Sequence, residues 1–186
     1  MSALAPGFLV AAPPLGDPNF DRSVVLLAAH GDEGAFGWII NGREVMTMLE
    51  LLVRAELGDG PPELAGTIRV GGPVSPEQVW LLYREDERFD GLEGQFEVGA
   101  GIVACASRKA LELMARGIVP GSVFGLVGYA GWAPGQLENE IRVGAWLPTD
   151  LEADLVFDVP RDELWHRAYE RVGATPMAFT SRVGLA

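Results

Sequence analysis

Apolar residues recur along this chain in strand-length runs and helical spacings, punctuated by glycine and proline. Residues 8–12 form a short apolar run that stops at Pro13 and Pro14, which lack the N–H a ladder needs, and the run predicts a strand. Residues 15–22, rich in Gly, Asp, Pro and Asn, predict a turn. Residues 23–30 are continuous in Val, Leu and Ala, the pattern of a strand covered on both faces. Gly31-Asp32-Glu33-Gly34 then predicts a hairpin connection, and residues 35–40 the returning strand, broken by Asn41-Gly42. Thr47-Met48-Leu49-Glu50 has the form of a capping box, so Thr47 is expected to cap a helix running to about Leu57.

Further strands are expected at 67–70, at 79–83 after one short turn from Ser75, at 96–98 and at 102–104. Residues 84–94 read as a charged surface loop. Ser107 predicts the cap of a helix that ends near Arg116 with Gly117 beyond it. Residues 123–127 predict a buried strand, followed by a turn dense in glycine and aromatics and then a short acidic helix through Ile141 with Pro134 in its first turn. A strand at 145–147, a short apolar piece at 155–157, a final helix opened by Pro160 and stopped by Gly173, and a loosely held tail complete the pattern. Strands and helices mix without regular βαβ alternation, so the fold class is α+β in one domain, residues 1–186.

Composition narrows the function classes. The net charge is −12 and Lys109 is the only lysine, so the chain lacks the basic footprint of a nucleic-acid binder. One cysteine, Cys105, permits no intrachain disulfide and fits a reducing compartment. No basic-then-apolar leader stands at the N-terminus, and no apolar run approaches membrane-spanning length; the expected setting is the cytoplasm, with no membrane association.

The candidate chemistry is thin. Asp17, Asn19 and Asp21 have the opening spacing of a calcium loop, but Arg22 and Ala28 stand where that loop needs Gly and Glu, so the three read as turn caps. Gly99-Ala100-Gly101 followed by Ala104 lacks the helix and the acidic residue of a dinucleotide fingerprint and reads as a turn between strands. Cys105, His30 and His166 are too dispersed for a zinc signature, and Cys105 reads as a small core residue. No metal, cofactor or catalytic residue is assigned.

The most specific stretch is 125–141. Its Gly128, Gly131 and Gly135 are expected to supply special backbone geometry, and Tyr129 and Trp132 to pin the loop on the sheet or line a ligand wall. Glu138 and Glu140, two apart on a helix, point to different faces. The candidate binding cleft comprises Asn41, Tyr129, Trp132, Gln136 and Glu140.

The segment Gly-Tyr-Ala-Gly-Trp-Ala-Pro-Gly-Gln-Leu-Glu-Asn-Glu-Ile at 128–141 resembles the signature of the bacterial YqgE/AlgH family. Asp-Pro-Asn-Phe-Asp-Arg-Ser-Val at 17–24, Glu-Gly-Ala-Phe-Gly-Trp-Ile-Ile-Asn at 33–41, Gly71-Gly72-Pro73-Val74 and Leu164-Trp165 resemble it in the same order. The chain departs from the family at Gly42-Arg43, where Arg-Pro is common, and at Ala133, where glycine is frequent. The resemblance implies a mixed, largely antiparallel sheet bent into a partial barrel with helices packed around it, in a bacterial cytosolic protein. It implies no agreed activity or catalytic residues, although some members are labelled transcriptional regulators. The expected function is a non-enzymatic binding or regulatory protein acting through an unknown protein partner or small ligand, monomeric or weakly self-associating. The alternatives are a hydrolase using Glu138, Glu140 or His30 as acid–base groups, and a DNA-binding regulator, which the charge disfavours.

Overall fold

The computed structural model describes residues 4–13, 18 and 20–173. Asp17 and Asn19 of the expected turn, and the tail beyond residue 173, lie outside the described residues. In chain order the elements are β1 (Gly7–Ala11), β2 (Val24–Gly31), β3 (Gly34–Ile39), β4 (Glu44–Thr47), α1 (Met48–Arg54), β5 (Thr67–Val70) and β6 (Val74–Arg84). They continue, after a 3₁₀ turn at Glu85–Glu87, with β7 (Gln95–Gly99), β8 (Ile102–Cys105), α2 (Arg108–Ala115), β9 (Phe124–Trp132), α3 (Gln136–Arg142), β10 (Trp146–Thr149), α4 (Ala153–Phe157) and α5 (Arg161–Arg171). The chain divides into two compact units: one takes the residues up to Asn41 and those from Ala130 onward, the other Gly42–Tyr129. The α+β class with mixed, largely antiparallel pairing holds in the structure, the β5–β9 pair being parallel.

In the first unit the strands run in the order β10-β1-β2-β3, with the end of β9 beside β3, all antiparallel. The apolar run of β2 is covered on both faces from Val24 to Leu27, as its composition requires, and opens toward the hairpin, where Ala29 and Gly31 are exposed. One face of the sheet packs Leu9, Val25, Leu27, Ile39, Trp132 and Trp146 with Leu137 of α3. Helix α5 lies against β1 and β2, where the Trp165 indole donates to the Ala11 carbonyl at 2.9 Å. The apolar piece at 155–157 belongs to α4, tied to α5 by Arg171, which pairs with Asp154 at 2.8 Å and Glu152 at 2.9 Å.

In the second unit β4 pairs β5, β5 runs parallel to β9, and β9, β6, β8 and β7 follow in antiparallel order. The capping box forms: the Thr47 amide donates to Glu50 at 2.7 Å and the Glu50 amide to the Thr47 hydroxyl at 3.1 Å. Ala110, Leu111 and Met114 of α2 pack with Met48, Leu51 and Leu52 of α1 over Ile68, Leu81, Tyr83 and Cys105, so Cys105 is a core residue. The Gln95 side chain holds the charged loop, bonding Phe89 N–H, Phe89 C=O, Leu92 C=O and the Tyr83 hydroxyl. Gly99-Ala100-Gly101 is the β7–β8 turn, leading into a strand rather than a helix.

One strand was not foreseen and two expectations are corrected. Residues 44–47 form a strand, β4, whose four-residue length concealed it between the Asn41-Gly42 break and the Thr47 cap. Strand β6 begins at Val74, and the expected turn near Ser75 is a register shift within it, with Ser75 at φ 45°. Strand β9 continues to Trp132 instead of ending at Val127, because partners on β3 and β6 supply ladder bonds that override the turn preference of its glycines.

Two glycines of that segment need positive φ for different reasons. At Gly128 (φ +71°) a Cβ would stand 2.4 Å from the Gly72 carbonyl oxygen; at Gly135 (φ +77°) nothing lies within 4 Å. Gly131, by contrast, sits in β9 opposite Phe36. Gly135→Ala should therefore cost about 1–2 kcal/mol, the left-handed conformation alone, and Gly128→Ala more than about 2 kcal/mol, because backbone must also move. Urea denaturation of the two variants checks the order.

Candidate functional site

The signature segment builds its own scaffold. Alternation along β9 buries Ala130 and Trp132 on the core side and leaves Gly131 exposed. After Trp132 the chain turns through Ala133 and Pro134 to Gly135, which enters α3 without a side-chain cap of its own. Gln136 reaches back to the turn before the helix, where its side-chain oxygen accepts from the Ala133 amide at 3.0 Å.

One turn on, Glu140 collects three donors. Its Oε2 accepts from the Trp132 indole at 2.8 Å and from the Trp146 indole at 2.8 Å; its Oε1 accepts from the Gln136 amide at 2.9 Å. The two indoles meet edge-on with centroids 6.0 Å apart, and Phe20 packs against both, at 6.3 Å from Trp132 and 5.6 Å from Trp146. Buried indole N–H groups need acceptors, and an ionised carboxylate makes stronger hydrogen bonds than a neutral oxygen. The arrangement is thus a clamp joining β9, α3 and β10.

Of the five candidate cleft residues the structure brings together Trp132, Gln136 and Glu140. Asn41 is used elsewhere in the same unit: its Oδ1 accepts from the Val24 amide at 2.8 Å and its Nδ2 donates to the Arg22 carbonyl at 2.9 Å, bracing the entry to β2. Tyr129 lies in the other unit, half-buried and opposite Val74. Trp146 and Phe20 were missed as members of the cluster. Trp146 carries no local cue beyond being an aromatic in a short strand, and its bond to Glu140 depends on the chain reversing after α3.

The acid–base candidates divide as helical spacing requires. Glu140 faces the indoles, while Glu138 meets His30, with Nε2 and Oε1 2.7 Å apart. The Glu138 carboxyl is held below its ordinary value, first by its own main-chain N–H and then by His30. Among the described residues no three His, Cys, Asp or Glu side chains converge as a metal site requires. No described helix is long and apolar enough to cross a membrane. Three cavities of the second unit, beside α1, α2 and the loop at 117–123, are lined by none of the five candidates.

The chain is an α+β protein whose strand–turn–helix segment is locked by a carboxylate between two indoles. A family model described as AlgH-like matches residues 8–177. The chain belongs to the YqgE/AlgH family. A UPF0301 protein of Anaeromyxobacter sp. (strain K) is 43% identical over 183 residues, covering 96% of this chain and 92% of that protein. A UPF0301 protein of Stenotrophomonas maltophilia (strain K279a) is 35% identical over 184 residues, covering 98% and 96%. The solution structure of the AlgH protein from Pseudomonas aeruginosa superposes with a TM-score of 0.77 at 30% identity, covering 100% of this chain and 97% of that one. The crystal structure of a Corynebacterium diphtheriae protein shares the fold, with a TM-score of 0.70 at 24% identity over 90% of this chain and 86% of that one.

Glu140→Gln replaces a shared acceptor with an amide whose N–H₂ opposes either the indoles or the Gln136 amide. It should destabilise the protein by about 1–3 kcal/mol, measured by urea denaturation. A cycle with Trp146→Phe should show strong non-additivity, because both changes remove one bond. In an NMR titration Glu138 should protonate below the ordinary carboxylate value of 4.5. Its stabilising contribution is therefore present above that range and lost as pH falls through the lowered pKa. His30→Ala should raise the midpoint only part of the way, since the larger cause is the local main-chain N–H.

Proposed function

We propose that this protein is a non-enzymatic binding or regulatory protein of the cytoplasm that acts through a protein partner or small ligand. The observation that supports binding over reaction is how the polar groups of the signature are committed. Glu140 takes three donors, Gln136 is bonded at both ends of its amide, and Asn41 braces a turn. Groups so engaged hold geometry well and move protons poorly. The rigid clamp displays the outer side of α3, with Gln136, Glu138 and Asn139 exposed and Val143 78% exposed beyond it. We place the contact surface there, with Trp132 and Glu140 holding it from behind.

A second reading, a hydrolase, draws on one observation: His30 and Glu138 sit at hydrogen-bond distance, the pairing that orients an imidazole base. Direct DNA binding has no comparable support, given a net charge of −12.

The test compares the parent with an Asn139→Ala/Val143→Ser variant in pull-downs and metabolite thermal-shift screens. A partner or ligand held by the parent should be lost by the variant at an unchanged melting temperature. Equal binding by the variant overturns the placement on α3. Turnover of an ester, phosphoester or glycoside that disappears in His30→Ala or Glu138→Gln overturns the non-enzymatic reading.

A further inference from the structure

The second unit contains a cavity of about 210 Å³ between the end of α1 and the start of α2. Leu51 of α1, Ala55 just beyond its end, Val79 and Leu81 of β6, Cys105 of β8 and Leu111 of α2 line it. These side chains offer carbon and one thiol, and the core cluster fixes Leu51, Leu81, Cys105 and Leu111. A dry apolar cavity of about 150 Å³ is enough to hold a benzene ring. The space here therefore suits one ring or a short aliphatic chain.

The rim is different in character. Gln78, Ser107 and Arg108 complete the lining. The Arg108 guanidinium reaches from α2 to the Ala55 carbonyl at 2.7 Å, across the gap between the two helices. Its one acidic neighbour among the described ion pairs is Glu112, at 3.7 Å and partly exposed, a loose pairing that a better acceptor replaces at little cost. The first turn of α2 has no acidic residue and instead carries Arg108 and Lys109, the sole lysine of an acidic chain. Cations at a helix N-terminus oppose the helix dipole. An anion resting at this rim would relieve that opposition, and Arg108 keeps guanidinium N–H donors beyond the one given to the Ala55 carbonyl, each able to make a charge-assisted bond to a carboxylate.

We propose that this cavity binds a small organic acid, its short apolar tail among Leu51, Val79, Leu81 and Leu111 and its carboxylate against Arg108. The site lies wholly in the second unit and does not depend on the α3 surface. Apolar tail and carboxylate are both required: the cavity alone gives no preference for charge, and Arg108 alone is a solvated surface cation of little affinity.

The experiment titrates isotope-labelled full-length protein with hexanoate, using hexanol and acetate as controls. Hexanoate should shift the amides of residues 51–55 and 105–111 in a saturable way, at least tenfold more tightly than either control. Arg108→Gln should weaken hexanoate at least tenfold and leave hexanol unchanged. Val79→Phe, which enlarges a lining side chain on β6, should abolish both; Gln78→Trp at the rim serves the same purpose should Val79→Phe fail to fold. The proposal is overturned if hexanoate produces no saturable shift at millimolar concentration in folded protein. It is equally overturned if hexanol matches hexanoate, or if Arg108→Gln binds as the parent does.

Discussion

The interaction on which the first unit turns is the triple use of one carboxylate. Two large indoles sink into the same layer of core, and each brings an N–H that burial strips of water. Left unpaired, each would cost about 1–3 kcal/mol. Glu140 satisfies both with a single oxygen and spends the other on Gln136, which in turn ties back to the turn before α3. Removing the glutamate therefore does more than break a contact. It leaves the two indole donors stranded and frees α3 from the strands β9 and β10 that carry them.

This explains why so specific a sequence need not be a reactive one. The spacing between Trp132, Gln136 and Glu140 is set by one strand end, a turn and one helical repeat, with Gly135 at positive φ making the reversal possible. The residues that looked most like site chemistry are those that hold the strand, turn and helix in register. The described ion pairs behave similarly: Arg171, Arg161 and Arg167 each lie beside Asp or Glu, the opposite of a stripe disposed to neutralise phosphates.

Most elements were legible because their signals are local. The Thr47–Glu50 capping box, the Ser107 cap, the apolar run of β2 and the glycines between β7 and β8 each decide a few neighbouring residues, and each appears as expected. The sequence misled where pairing partners overruled local preference: β9 runs through glycines that favour a turn, and β4 has no turn residue to mark its end. For the candidate site, helical spacing separated Glu138 from Glu140 correctly. Trp146 and Phe20 could not be placed beside Glu140, because that meeting depends on sheet order rather than on any nearby residue. Asn41 and Tyr129 were grouped with the cluster by residue type; Asn41 belongs to a separate brace and Tyr129 to the other unit.

The division of the chain has a consequence for how the molecule is made. The inner unit is one continuous stretch, whereas the outer one is assembled from residues on both sides of it. As the polypeptide leaves the ribosome, β1, β2 and β3 emerge first and lack their neighbours β9 and β10 until the whole inner stretch has been synthesised. The inner unit can close on itself in the meantime, since domains generally fold as units. During that interval β1 lacks β10 and β3 lacks β9, and the last tryptophan of the clamp, Trp146, is among the later core residues to arrive. Completion of the outer unit thus waits until the residues from Ala130 onward have been made, a delay written into the connectivity itself.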